Sequence, residues 1–115
     1  MLSVVACSKT LEGGNSFPFS VCGSVSLRKA LLYIDRHPQD ISPKKAVWNY
    51  YIKTRDYDRL IESAGDYCRD CEERSDLNGM IYALAYVVQS YTFLDRYDSA
   101  FVKIEALERL YDSSG

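Results

Sequence analysis

The stretch FLDRYDSAF (residues 93–101) closes one run of helical spacing and opens another, and KTRDYDRLI (residues 53–61) stands forty residues before it. At that offset Val47 meets Val87, Tyr51 meets Tyr91, Tyr57 meets Tyr97 and Asp58 meets Asp98. A phrase repeated within a chain of 115 residues predicts a repeated structural unit. The unit it predicts is a helical hairpin, which buries one face and leaves another apolar flank for a neighbouring hairpin to cover.

Outward from the repeat, punctuation divides the chain. Residues 8–23 read as loop, with Gly13-Gly14-Asn15 and Pro18. Leu27, Ala30, Leu31 and Ile34 make an apolar stripe that stops at His37-Pro38. Ser42-Pro43 reads as the next start, a capping hydroxyl followed by proline in the first turn. Ala46, Val47, Tyr50 and Tyr51 keep helical spacing, which lapses at Lys53–Asp56. It resumes with Tyr57, Leu60, Ile61, Ala64, Tyr67 and Cys68. Arg74-Ser75-Asp76 ends that helix and caps the next, and residues 77–93 and 97–111 form a second pair. No stretch alternates with the period of a strand. The expected fold is all-α, in antiparallel hairpins.

Composition narrows the function classes. An apolar fraction of 47% suits a globular chain. Fourteen basic and sixteen acidic residues, for a net charge of −2, leave no electrostatic footprint for nucleic acid. Ten tyrosines suit packed helices whose surfaces stay half wet.

The opening MLSVVACSK has the look of a bacterial lipobox, in which a small residue precedes the cysteine, here Cys7, that is lipidated. A secretory signal needs a basic segment and roughly 7–15 apolar residues before its cleavage site, and neither is present. Two readings follow: a clipped signal whose Cys7 anchors the chain to the bacterial envelope, or a short apolar start on a cytoplasmic protein. The polar, Gly/Ser-rich run SKTLEGGNS fits a lipoprotein tether, so residues 1–23 are assigned to signal remnant and tether.

With these positions in place, the chain resembles tetratricopeptide (TPR) repeats. In that family a large residue opens helix A, an aromatic lies one turn before its end, a Tyr sits at the turn, and a small residue opens helix B. Leu84, Val87, Tyr91, Tyr97 and Ala100 fill those places in the second unit. Val47, Trp48, Tyr51 and Tyr57 fill them in the first, with Leu60 where Ala is expected. The period is forty rather than the family's roughly 34, the additional residues falling around Glu72–Asn78. Such long repeats are familiar from bacterial regulatory proteins. The resemblance implies a right-handed α-solenoid over residues 24–115. It comprises a partial unit at 24–37, repeat one at 41–74 and repeat two at 77–112. Solenoids usually need three or more units, so further repeats or domains are expected beyond this chain.

Residues 77–94, LNGMIYALAYVVQSYTFL, carry no charge and reach the length at which a membrane span becomes possible. Asn78, Gln89, Ser90 and Thr92 speak against a span, as does the match to a first copy holding Lys44, Lys45 and Lys53. A buried solenoid helix accounts for both facts.

Chemistry is sparse. Cys68-Arg69-Asp70-Cys71 has the CxxC spacing of redox and zinc sites, but a tetrahedral zinc needs four ligands and no second CxxC exists. Packing is the expected role, with Cys68 inward and Cys71 one turn on at an inter-helix contact; in an exported chain a disulfide, within the pair or to Cys22, is the other option. His37, before Pro38, is expected at a helix C-terminus, near the negative end of the dipole. Glu72, Glu73, Glu105 and Glu108 fall on solvated faces, and Gly13-Gly14 lacks the Lys and helix of a phosphate loop. The expectation is a non-enzyme without cofactor or metal.

What remains is a surface. The resemblance implies a concave groove lined by A helices, at Lys45, Asn49, Ile52 and Lys53 in the first unit and Tyr82, Gln89 and Phe93 in the second. Lys45 and Asn49 match half of the family's carboxylate clamp, an ammonium and an amide on one helix face. The other half is missing, because Tyr86 stands where Asn is required. The leading expectation is a protein–protein interaction module that takes a peptide or protein partner. One alternative is the N-terminal sensory region of a bacterial membrane-associated signalling regulator, of histidine kinase or helix-turn-helix type. A weaker one is a metal or redox protein using Cys68 and Cys71.

Overall fold

The computed structural model describes residues 20–114, so Cys7 and most of the tether lie outside the described residues. Five α-helices and no strand occupy them: α1 (Ser24–Arg36), α2 (Ile41–Lys53), α3 (Tyr57–Arg74), α4 (Leu77–Phe93) and α5 (Tyr97–Ser114). The all-α expectation holds. Two compact units divide the chain between Tyr50 and Tyr51.

In the first unit, α1 starts where the Ser26 hydroxyl reaches back over the helix end. Its oxygen accepts from the Cys22 and Gly23 N–H groups at 2.8 and 3.0 Å, satisfying donors that no helical carbonyl can reach. The helix stops before Pro38, with the His37 N–H shared between the Tyr33 and Ile34 carbonyls and the His37 ring lying 4.3 Å from that of Tyr33. The start of α2 differs from the sequence expectation. The cap is Asp40 rather than Ser42: its carboxylate accepts from the Ser42 N–H at 3.0 Å, and the helix opens at Ile41. An anion complements the positive helix end better than a hydroxyl does. Pro43 then sits third in the helix, where its missing N–H leaves nothing unpaired. Ala30, Pro43, Val47 and Trp48 are buried, together with most of Lys44.

In the second unit one turn is used three times. Arg55, Ser75 and Asp95 each adopt the left-handed conformation, with φ of 61°, 59° and 59°. The residue after each sends its N–H back five positions: Asp56 to Tyr51 at 2.7 Å, Asp76 to Cys71 at 2.8 Å and Arg96 to Tyr91 at 2.9 Å. The left-handed residue itself bonds three back, to Ile52, Glu72 and Thr92. This pair of bonds is the Schellman motif, which occupies two of a helix's orphan carbonyls while reversing the chain. It places the starts of α3, α4 and α5 twenty residues apart, so the forty-residue repeat of the sequence is two helix-and-turn lengths.

Such short connections make neighbouring helices pack as hairpins, α3 on α4 and α4 on α5. Helix α3 buries Leu60, Ala64, Tyr67 and Cys71, one stripe at helical spacing. Helix α4 buries Gly79, Ala83, Leu84, Val87 and Ser90, a wider arc because it is flanked on two sides. This explains the uncharged run at 77–94: a helix between two others has little surface on which a charge could stay solvated. The one buried hydroxyl in that arc, Ser90, donates to the Tyr86 carbonyl at 3.0 Å. No helix among the described residues is long and apolar enough to cross a membrane. Each large apolar side chain taken from water here, Leu60 or Val87 for example, contributes roughly 1.5–3 kcal/mol.

At Gly79 the helices α3 and α4 meet closely. A Cβ there would collide with the Cys71 sulfur and come within 2.9 Å of Asp76 Oδ2. Gly79→Ala is expected to destabilise the fold by about 2 kcal/mol, as overpacking does. Cys71→Ala should return part of that loss, so a double-mutant cycle by urea unfolding that comes out additive contradicts the contact. The left-handed residues allow a second check. Ser75→Gly should raise stability by up to about 1 kcal/mol by removing the Cβ clash of a left-handed conformation, and an unchanged or lower unfolding midpoint contradicts it.

Candidate partner-binding surface

Because α4 is covered by α3 and α5, a single stripe of it faces outward: Asn78, Tyr82, Ala85, Gln89, Thr92 and Phe93. The stripe has no charge and is bounded by aromatics, Tyr82 being 46% exposed and Phe93 53% exposed. Three of the expected groove residues, Tyr82, Gln89 and Phe93, therefore share one helix face. The Phe93 ring is braced from below, stacking on Tyr57 at the start of α3 with centroids 5.2 Å apart and planes 17° from parallel. That stack went unnoticed in the sequence because its members stand thirty-six residues apart on different helices. The remaining groove residues all lie on α2. Lys45 is half-buried and Asn49 exposed, four apart on one face, while Ile52 is half-buried and Lys53 exposed in the last turn. Tyr86, which interrupts the clamp, is half-buried.

A concavity lies between α3 and α5. It holds about 660 Å³ and is floored by Met80, Leu84, Val87 and Tyr91 of α4. Its α3 wall carries Glu62, Asp66 and Glu72, with Arg69 paired to Asp66, and its α5 wall carries Lys103 and Arg109. Cys68 also lines it, half-buried. Burial pushes the Cys68 thiol up, with Cys71 and Glu72 adding to the effect. A reactive thiol needs the opposite, a lowered value.

Of the packing expected of the CxxC pair, Cys71 takes the inter-helix contact, while Cys68 is only half-buried. Cys71, not Cys68, is the fully buried cysteine, and it faces Gly79 of α4. The stripe Leu60–Ala64–Tyr67–Cys71 carries it inward, and the space opposite exists because residue 79 has no side chain. Around it the turn is tied by polar contacts. Arg74 Nη2 donates to the Cys71 sulfur at 3.2 Å and pairs with Asp76 at 3.6 Å, while its guanidinium lies 5.7 Å from the Tyr67 ring centre. Asp76 also accepts from the Gly79 N–H at 3.1 Å, so one carboxylate caps α4 and anchors Arg74. Among the described residues no group of three or more His, Cys, Asp or Glu side chains could hold a metal ion. His37 ends α1, as expected, and Glu72, Glu73, Glu105 and Glu108 are exposed.

No family model matches the chain, and neither a curated protein nor a solved structure is found similar to it.

The Tyr67 phenol is pushed up to about 12, first by burial and then by its bond to Cys71. A phenol whose value is raised on folding stabilises the fold fully below its unfolded value near 10. That contribution is lost as pH rises through the window from about 10 to 12. Alkaline titration of wild-type stability should therefore show a loss on the order of 2 kcal/mol across that window. Tyr67→Phe should flatten it, and an equally steep limb in the variant contradicts the assignment.

Proposed function

We propose that this chain is a protein–protein interaction module, its hairpins stacked in the manner of tetratricopeptide repeats and its partner received on the outward stripe of α4. The observation that carries the reading is the chemistry of that stripe. An exposed helix face normally carries charge; this one carries two large aromatics and no charge over four turns. Aromatic anchors supply much of the energy of protein interfaces and lose little entropy on binding, the more so when a ring is braced in advance, as Phe93 is by Tyr57. Gln89 between them offers both a donor and an acceptor to a partner backbone. Lys45, Asn49, Ile52 and Lys53 on α2 are the corresponding positions of the preceding repeat. The partner expected is a peptide or protein segment with an apolar, uncharged face.

A photo-crosslinking residue at Ala85 tests this, since it sits mid-stripe between the anchors. Crosslinking in cells should yield a discrete partner, and Tyr82→Ala with Phe93→Ala should weaken its binding by about 2 kcal/mol or more per anchor. Helicity should be kept, with a stability loss of about 1 kcal/mol from the broken stack. A partner that binds the double variant as tightly as wild type overturns the reading.

A further inference from the structure

Two outward helix ridges carry opposite charge together with large apolar side chains. On α5 the exposed residues Asp98, Phe101, Val102, Glu105, Glu108 and Asp112 recur at helical spacing, with Phe101 64% and Val102 58% exposed. On α1 the exposed residues Val25, Arg28, Lys29, Leu32, Asp35 and Arg36 do the same, with Val25 70% and Leu32 57% exposed. The α5 ridge holds four carboxylates, with Arg109 at its edge; the α1 ridge holds three cations and one carboxylate. Neither belongs to the α4 stripe.

We propose that these ridges bind each other between copies of the chain, α1 of one copy docking on α5 of the next. The spacing fits an antiparallel register. With Leu32 set on Phe101 and Val102, Arg28 and Lys29 fall opposite Glu105, and Asp98 falls between Asp35 and Arg36. Antiparallel helices also place opposite dipole ends together. The apolar centre supplies the attraction that exposed ion pairs lack, and the flanking charges select the partner ridge and reject a like one, since two α5 ridges would bring carboxylate against carboxylate. The contact joins two different surfaces, so it is heterologous. Each docked copy still presents one ridge of each kind, and association continues copy by copy unless the rotation closes a ring.

The test uses the full chain in sedimentation equilibrium over a range of concentrations. At low salt the weight-average mass should climb with concentration past that of a dimer, and it should fall toward the monomer at high salt, where charges on exposed side chains are screened. Glu105→Lys with Glu108→Lys sets cations where the α5 ridge would meet Arg28 and Lys29, and Arg28→Glu with Lys29→Glu sets carboxylates where the α1 ridge would meet Glu105. Each variant alone should associate at least about tenfold more weakly than wild type. An equimolar mixture of the two should regain association, because cations at 28/29 or 105/108 of one variant then find carboxylates at 105/108 or 28/29 of the other. Leu32→Asn in both variants should abolish that regain; if the mixture still associates, net charge alone is responsible and the proposal is overturned. A wild-type mass that stays monomeric throughout, or a mixture that stays monomeric, overturns it as well. The milder Glu105→Gln with Glu108→Gln, expected to lie between wild type and the reversal, serves if a charge-reversed chain loses its helicity.

Discussion

The architecture from Tyr51 onward depends on one backbone constraint: a residue held at positive φ, with the N–H groups at the turn bonded back into the helix just ended. A reversal made this way leaves no loop to absorb misfit. The next helix must start at once, antiparallel, with its stripe at a set angle to the one before. The three residues in this conformation are Arg55, Ser75 and Asp95, and none is glycine. Each position therefore carries a penalty of roughly 1 kcal/mol that the packing of the hairpins has to outweigh. Asp76 shows how the constraint is supported, since the residue completing the second reversal also caps α4 and anchors Arg74.

How much of this was legible follows from which signals are local. Apolar spacing and the breaks at His37-Pro38, Lys53–Asp56 and Arg74–Asp76 depend on neighbours in the chain, and they delimit the helices correctly. The forty-residue echo was equally visible. Its half-period was not, because the turn it counts is marked by backbone angle, and Arg, Ser and Asp do not advertise that angle as Gly would. The cap of α2 was misplaced by two residues because Asp40 and Ser42 are both good caps, and which one wins depends on where the chain enters. Which cysteine of the pair is the deeper is non-local for a related reason. Cys68 and Cys71 both adjoin the stripe of α3, and Cys71 is the one that packs against Gly79 of the next helix.

The candidate surface divides along the same line. That Tyr82, Gln89 and Phe93 share a face is a matter of spacing and could be read in advance. That this face is open depends on α4 having α3 and α5 against its other sides. The stack of Phe93 on Tyr57 depends on a hairpin returning the end of α4 to the start of α3. The lack of charge along residues 77–94 therefore has two origins in one helix. Most of it reflects burial between two neighbours. The remainder, along the outward stripe, answers no packing need.

The equal spacing of the three reversals also bears on how the chain reaches this structure. Contacts between α3 and α4, and between α4 and α5, join residues separated by no more than two short helices and a tight turn. Little loop entropy must be lost before such contacts form, and chains whose contacts are this local fold in microseconds to milliseconds. Either hairpin can form first, since α4 completes the partner surface of both. A chain emerging from synthesis could close α3 on α4 before α5 exists and add α5 to a face already in place, so that the apolar run at 77–94 spends little time without a neighbour.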